Sequence, residues 1–189
     1  MEAIRAGEWT EIAGPWSPIA EPRSVMAGAA AVAAMTLATA AGAQVAIRLP
    51  FTPVPLTMQA FAVLLTGLVL TPRRAFAAQA AYVGAGMAGL PWLAGLTAWG
   101  AGAGPATLGY LAGFVLAAPA VALAARRVGP VAACVLGVVV IHACGLAVLA
   151  PVLGVSPVHA IALGTAPFLA GDAVKVVLAV AAARRIRAF

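Results

Sequence analysis

The chain has 189 residues, of which 64% are hydrophobic and only 8% charged, with a formal net charge of +6. A soluble domain of this length must place enough polar residues at its surface to meet water and has no need of so much apolar sequence; the composition therefore points to a polytopic membrane protein. The basic excess does not indicate nucleic acid, because the arginines stand in short clusters between apolar runs, where they act as topology signals.

Residues 1–24 combine Glu2, Glu8, Glu11 and Glu21 with Arg5 and Arg23 and with Pro15, Pro18 and Pro22. They are expected to form a short cytoplasmic tail with Trp9 and Trp16 at the membrane interface. They do not read as a secretory leader, whose n-region is basic and whose apolar core is shorter. Residues 25–189 are expected to form one membrane domain.

The first span runs from about Val25 to Ile47 and is rich in alanine. The pairs Ala27/Ala31, Ala30/Ala34 and Ala34/Ala38 are small residues four apart, a spacing that lets another helix approach closely. Internal packing or plain alanine bias explains the same pattern. In Arg48-Leu49-Pro50-Phe51-Thr52-Pro53-Val54-Pro55 three prolines forbid regular helix. Two short apolar runs follow, about Leu56–Leu70 and Ala75–Leu90, hinged at Thr71-Pro72-Arg73-Arg74. Each falls short of the ~20 residues of a straight crossing, so tilt or shielding by protein is expected. Pro91–Gly104 is a glycine-rich loop holding Trp92 and Trp99. Spans from about Pro105 to Ala125 and Val131 to Leu149 flank Arg126-Arg127, Ala150–Gly164 reads as a connector, and a last apolar run covers Thr165–Ala183.

This makes an all-α integral membrane protein of six transmembrane helices with a proline-rich loop after the first. Charge supports the count. Six spans place Arg5, Arg23, Arg73, Arg74, Arg126, Arg127, Arg184, Arg185 and Arg187 on one side and Arg48 alone on the other. That asymmetry assigns both termini to the cytoplasm of a cell (inner) membrane.

Most chemical motifs are absent or out of context. Gly84-Ala85-Gly86-Met87-Ala88-Gly89 matches a dinucleotide fingerprint literally but follows no strand and has no acidic residue about twenty positions on; close helix packing is the better reading. No Walker-type phosphate loop occurs, so ATP-driven work needs another subunit. His142 and His159 lack neighbours at ligand spacing, which argues against a metal and favours packing or a local hydrogen bond. Cys134 and Cys144 are too far apart along one helix to pair. No catalytic constellation is visible, and no enzyme or cofactor is expected. Gln44, Gln59 and Gln79 stand in apolar runs and should face the protein interior.

The exception is Gly171-Asp172-Ala173-Val174-Lys175, which holds the only acid after Glu21 and the only lysine. At ~1.5 Å per residue, Asp172 and Lys175 lie roughly 18 and 14 Å inward from Arg184, near the middle of a ~30 Å hydrocarbon layer. Three residues apart, they share a helix face. Ionisable groups at that depth are costly and mark a functional site, although mutual pairing would also account for them.

Leu49-Pro50-Phe51-Thr52-Pro53-Val54-Pro55-Leu56-Thr57-Met58-Gln59 resembles the signature segment of the BioY family, the biotin-binding S components of energy-coupling factor (ECF) transporters. The likeness continues through Tyr82, Gly86, Gly89-Leu90-Pro91, Gly104-Pro105, Gly109-Tyr110-Leu111 and Gly113-Phe114, and returns at Phe168, Gly171-Asp172 and Lys175. Departures are Gly104-Pro105-Ala106-Thr107-Leu108-Gly109-Tyr110 where the family usually shows Gly-Pro-Thr-Gly-Gly-Tyr, Thr71-Pro72 in place of Gly-Pro, and a Gly95–Gly104 loop without the basic residue some relatives carry.

The resemblance implies a biotin-binding membrane subunit that works with a membrane coupling subunit and two ATPases. Ala27, Ala30, Ala31, Ala34 and Ala38 would contact the coupling subunit. In the ligand site it implies Asp172 as acceptor for the ureido N–H groups, Gln59 as amide partner, Tyr82, Tyr110 and Phe168 as the wall, and Lys175 towards the carboxylate. The Arg48–Pro55 segment would cover the ligand. The alternatives are an S component or small carrier for another vitamin, and a structural membrane partner.

Overall fold

The computed structural model describes residues 24–98, 100 and 104–187; the expected tail with Trp9 and Trp16, and Trp99, lie outside the described residues. Helix α1 (Val25–Gln44) starts at Ser24, whose hydroxyl accepts from the Ala27 N–H at 3.1 Å and satisfies one of the helix's orphan donors. The chain then forms a short antiparallel hairpin, β1 (Ala46–Ile47) against β2 (Leu56–Thr57), with Ala46 opposite Thr57 and Ile47 opposite Leu56. The proline-rich segment is the tip of this hairpin, where prolines need not donate to a ladder.

Helix α2 (Gln59–Val69) and helix α3 (Pro72–Met87) follow. All of α2 except Ala60 and Phe61 is buried. A helix too short to cross on its own is thus surrounded by protein rather than lipid, as the sequence led one to expect. Helix α4 (Leu108–Val128) is preceded by a 3-10 turn at Pro105–Thr107, and α5 (Pro130–Leu153) is the longest helix described. A Cβ on Gly109 would collide with the Cys144 carbonyl, and one on Gly145 with the Tyr110 ring, so α4 and α5 pack with their backbones close together.

The region read as a connector differs from expectation. Helix α5 runs past Leu149 to Leu153 and closes on Gly154, whose left-handed backbone (φ 64°, ψ 30°) suits a residue without Cβ. Ser156 and Pro157 then start another helix, α6 (Pro157–Gly164), which carries His159. A 3-10 turn at Ala166–Phe168 leads into α7 (Leu169–Arg187). The break at Thr165 falls at the expected start of the final run, whose α-helix begins at Leu169, three residues before Asp172.

Among the described residues, four helical stretches are long and apolar enough to cross a membrane: Val25–Gln44, Pro105–Val128, Pro130–Leu153 and Pro157–Arg187. Helices α2 and α3 are shorter. Polar ties hold these pieces together. Gln79 Nε2 donates to Thr39 Oγ1 (3.1 Å) and Thr66 Oγ1 (3.2 Å), joining α3 to α1 and α2. Thr36 Oγ1 donates to the Ala78 carbonyl at 2.9 Å. At the other end Arg187 donates to the Leu68 carbonyl at 2.6 Å, capping a last-turn acceptor of α2. Of the Gly84–Gly89 motif only Gly86 is tightly packed, and against the loop residue Leu93 instead of another helix; a Cβ on Gly84 or Gly89 would meet nothing.

Candidate functional site

A cavity of about 520 Å³ lies beneath the hairpin, between the 93–97 loop and helices α4, α5 and α7. Its size is within the roughly 300–1,000 Å³ typical of small-molecule sites. The local folding explains its roof. Ala46 and Thr57 are paired across the hairpin and share a face, and both line the cavity. Leu56, one residue along, points the other way, towards α7, where its Cδ1 would lie 3.3 Å from a Cβ on Gly171.

The floor is a buried polar cluster. Asp172 is 5% exposed and Lys175 6%. Lys175 Nζ donates to Asp172 Oδ1 at 2.9 Å, the pairing that their spacing on one face allows. Asp172 Oδ2 faces His142 Nε2 at 2.7 Å. Since a carboxylate only accepts, Nε2 carries the proton in this contact. His142 Nδ1 lies 3.2 Å from Thr165 Oγ1 and 3.1 Å from the Gly164 carbonyl. The hydroxyl can donate to a bare Nδ1, and the carbonyl can receive a protonated one, so the ring has partners in either state. Each carboxylate oxygen has one donor from the protein and a lone pair left over. That is how a charge is held in an apolar interior while still able to accept from a solute.

Aromatic side chains stand beside this cluster. The Tyr110 ring meets His142 edge-on, with centroids 6.1 Å apart, and its hydroxyl donates to the Gly164 carbonyl at 2.7 Å. Phe168 lies 6.3 Å from the same imidazole. Gln59, at the start of α2, accepts from Thr57 Oγ1 (2.8 Å) and donates to Tyr82 Oη (2.6 Å). These bonds fix the orientation of an amide that also lines the cavity.

Of the residues singled out from sequence, Gln59, Tyr110, Phe168, Asp172 and Lys175 line one cavity. Tyr82 does not. It is fully buried behind Gln59, stacked at 5.9 Å on Trp92, whose Nε1 donates to the Tyr82 carbonyl at 3.1 Å. It supports the amide rather than forming wall. On α1, Ala27, Ala30 and Ala34 are exposed, and Ala31 and Ala38 are half-buried.

With this arrangement described, comparison with known proteins is informative. The family model for the BioY family matches residues 17–189. The chain belongs to the BioY family. Relatives include a probable biotin transporter BioY of Pyrococcus horikoshii, 35% identical over 79% of this chain and 89% of its own length. The biotin transporter BioY of Thermotoga maritima is 34% identical over 80% and 90%. Among solved structures, the S-component for biotin from an ECF-type ABC transporter superposes with a TM-score of 0.78 at 21% identity, covering 87% of this chain and 92% of that one. The last likeness speaks for the fold: this chain folds as that S component does.

Among the lining side chains of this BioY-family cavity that sequence reasoning did not assign to the ligand are His142 and Arg48. His142 was assigned to packing, yet it is the second partner of Asp172. Its signal was its presence as a polar residue in an otherwise apolar span; its partner lies 30 positions away on another helix and could not be read from spacing. Arg48 was read as a topology marker at the head of the segment expected to cover the ligand, with no role for its side chain, and it lines the cavity.

Proposed function

We propose that this protein is a membrane-embedded biotin-binding subunit mediating biotin uptake, coupled to an ECF ATPase module rather than catalysing a reaction itself. The observation that carries the reading is the Asp172 carboxylate, held by Lys175 and His142 at the floor of a roofed cavity in a chain of the BioY family. The chemistry of biotin fits this floor. Its ureido head offers two N–H donors to the free lone pairs of Asp172, and its carbonyl can accept from the Gln59 amide. Tyr110 and Phe168 supply apolar wall for the sulfur ring.

The same reading assigns six crossings with both ends cytoplasmic, α2 passing through the bilayer surrounded by protein, α3 burying one face and exposing the other, and α6 and α7 forming one interrupted span. Arginine distribution supports it, with Arg73, Arg74, Arg126, Arg127, Arg184, Arg185 and Arg187 on the cytoplasmic side. The exposed alanines of α1 are the surface offered to a coupling subunit, since small side chains permit close helix contact.

Calorimetric titration of the detergent-purified protein with biotin tests the function. Saturable one-to-one binding is expected; no heat and no displacement of labelled biotin defeats it. Binding of a different vitamin in its place selects the related-carrier alternative.

A further inference from the structure

The ligand chemistry just described leaves one charge without a partner. A free carboxylate tail needs a cation, and the lysine at the floor already donates to Asp172 one helical turn away. We propose that Arg48 is the carboxylate-binding residue of this cavity, a guanidinium at the mouth that receives the ionised tail of a ligand whose polar head lies on the Asp172 floor. The proposal rests on the biotin reading of the same cavity and adds to it the end at which the acid is recognised.

Four observations carry it. Strand register comes first: Ala46 and Thr57 face inward, and Arg48, two residues beyond Ala46, continues on that face and lines the cavity. Position along the cavity is second. Arg48 is exposed whereas Asp172 and Lys175 are buried, which separates a wet rim from a dry floor. Charge is third. The ion pairs among the described residues are His142–Asp172 and Lys175–Asp172, and neither uses Arg48. Asp172 is the sole carboxylate there, so the lining carries one positive charge that nothing in it neutralises.

The fourth is the seat of the guanidinium. A Cβ on Gly95 would lie 3.4 Å from Arg48 Nη2. Gly95 sits at φ +73°, and its N–H donates to the Ala43 carbonyl at 3.2 Å. The guanidinium therefore lies beside an anchored loop at the cavity rim. The Gly95–Gly104 stretch itself contains no basic residue, so Arg48 is the cation available on that side. A guanidinium can take a carboxylate through two parallel N–H donors, which gives it more directional selectivity than an ammonium.

The consequence is discrimination between charged and uncharged tails. Full-length protein in detergent is titrated with biotin and with biotinamide, in which the carboxylate is replaced by a neutral amide. Wild type should bind biotin about tenfold more tightly or better, the size expected for a charge-assisted contact at a wet rim. Arg48→Gln should bring the ratio close to one, weakening biotin more than biotinamide, and Arg48→Lys should restore part of the preference. A wild-type ratio near one, or a ratio unaltered in Arg48→Gln, overturns the assignment. Salt supplies a check that needs no variant. Because Arg48 is exposed, raising ionic strength should shrink the wild-type ratio, and a salt-independent ratio counts against it. If wild type binds neither compound, the biotin reading itself is wrong and this assignment falls with it; if it binds both equally, only Arg48 is at fault.

Discussion

Two of the buried polar clusters among the described residues do different things. Gln79 with Thr39 and Thr66 joins α1, α2 and α3 in the core, and none of the three lines the Asp172 cavity. Asp172 with Lys175 and His142 joins α5 and α7, and every member lines a cavity. The first is neutral and fully consumed by its own bonds. The second is charged and keeps lone pairs facing open volume. Burial of polar groups alone therefore does not mark a binding site; the diagnostic is burial together with unspent hydrogen-bonding capacity directed at a hollow.

The contrast can be broken by substitution. Asp172→Asn keeps the shape but removes the charge that pairs with Lys175, and biotin affinity should fall by roughly a hundredfold, the worth of a good charged hydrogen bond. Unchanged affinity in calorimetry would remove Asp172 from the site. His142→Ala strips one donor from the same carboxylate, and affinity should drop about tenfold, with His142→Gln recovering part of it. If His142→Ala instead lowers only the thermal midpoint, the imidazole is packing and no more.

Substitutions in the neutral cluster should behave oppositely. Gln79→Leu should cost about 1 kcal/mol of stability, since interhelical hydrogen bonds in membranes are individually modest, and should leave biotin affinity within twofold. Thermal unfolding followed by tryptophan fluorescence in detergent reads the first, calorimetry the second. Thr66→Val is the smallest perturbation. It removes an acceptor for Gln79 but keeps the volume, and a midpoint shift worth about 0.5 kcal/mol is expected. A binding defect in either variant would mean the two clusters are coupled and the distinction drawn here is false.

How much was legible in advance varied with the physics of each feature. The cost of ionised groups in hydrocarbon singled out Asp172 and Lys175 without any coordinates, because that cost is local to a residue and its depth. The three prolines after Arg48 likewise announced a non-helical segment, and it is the tip of a hairpin. The helix Pro157–Gly164 was not legible, since Pro151, Gly154 and Pro157 made Ala150–Gly164 read as a connector, whereas Pro157 starts a helix and Gly154 ends one. Tyr82 was placed one layer too far forward: an aromatic residue in an apolar run carries no mark of whether it faces a cavity or a Trp.

What the chain determined by itself was the solvent it lives in and the presence of one charged site within its last apolar run, both consequences of transfer free energies that act residue by residue. What only tertiary structure decided was which groups meet there. His142 reaches Asp172 across 30 positions, Gln59 reaches Tyr82 across 23, and Arg48 comes to line the same cavity as Asp172. Those encounters depend on how helices pack and how a hairpin folds over them, and in this protein close glycine contacts such as Gly109 against Cys144 set that geometry.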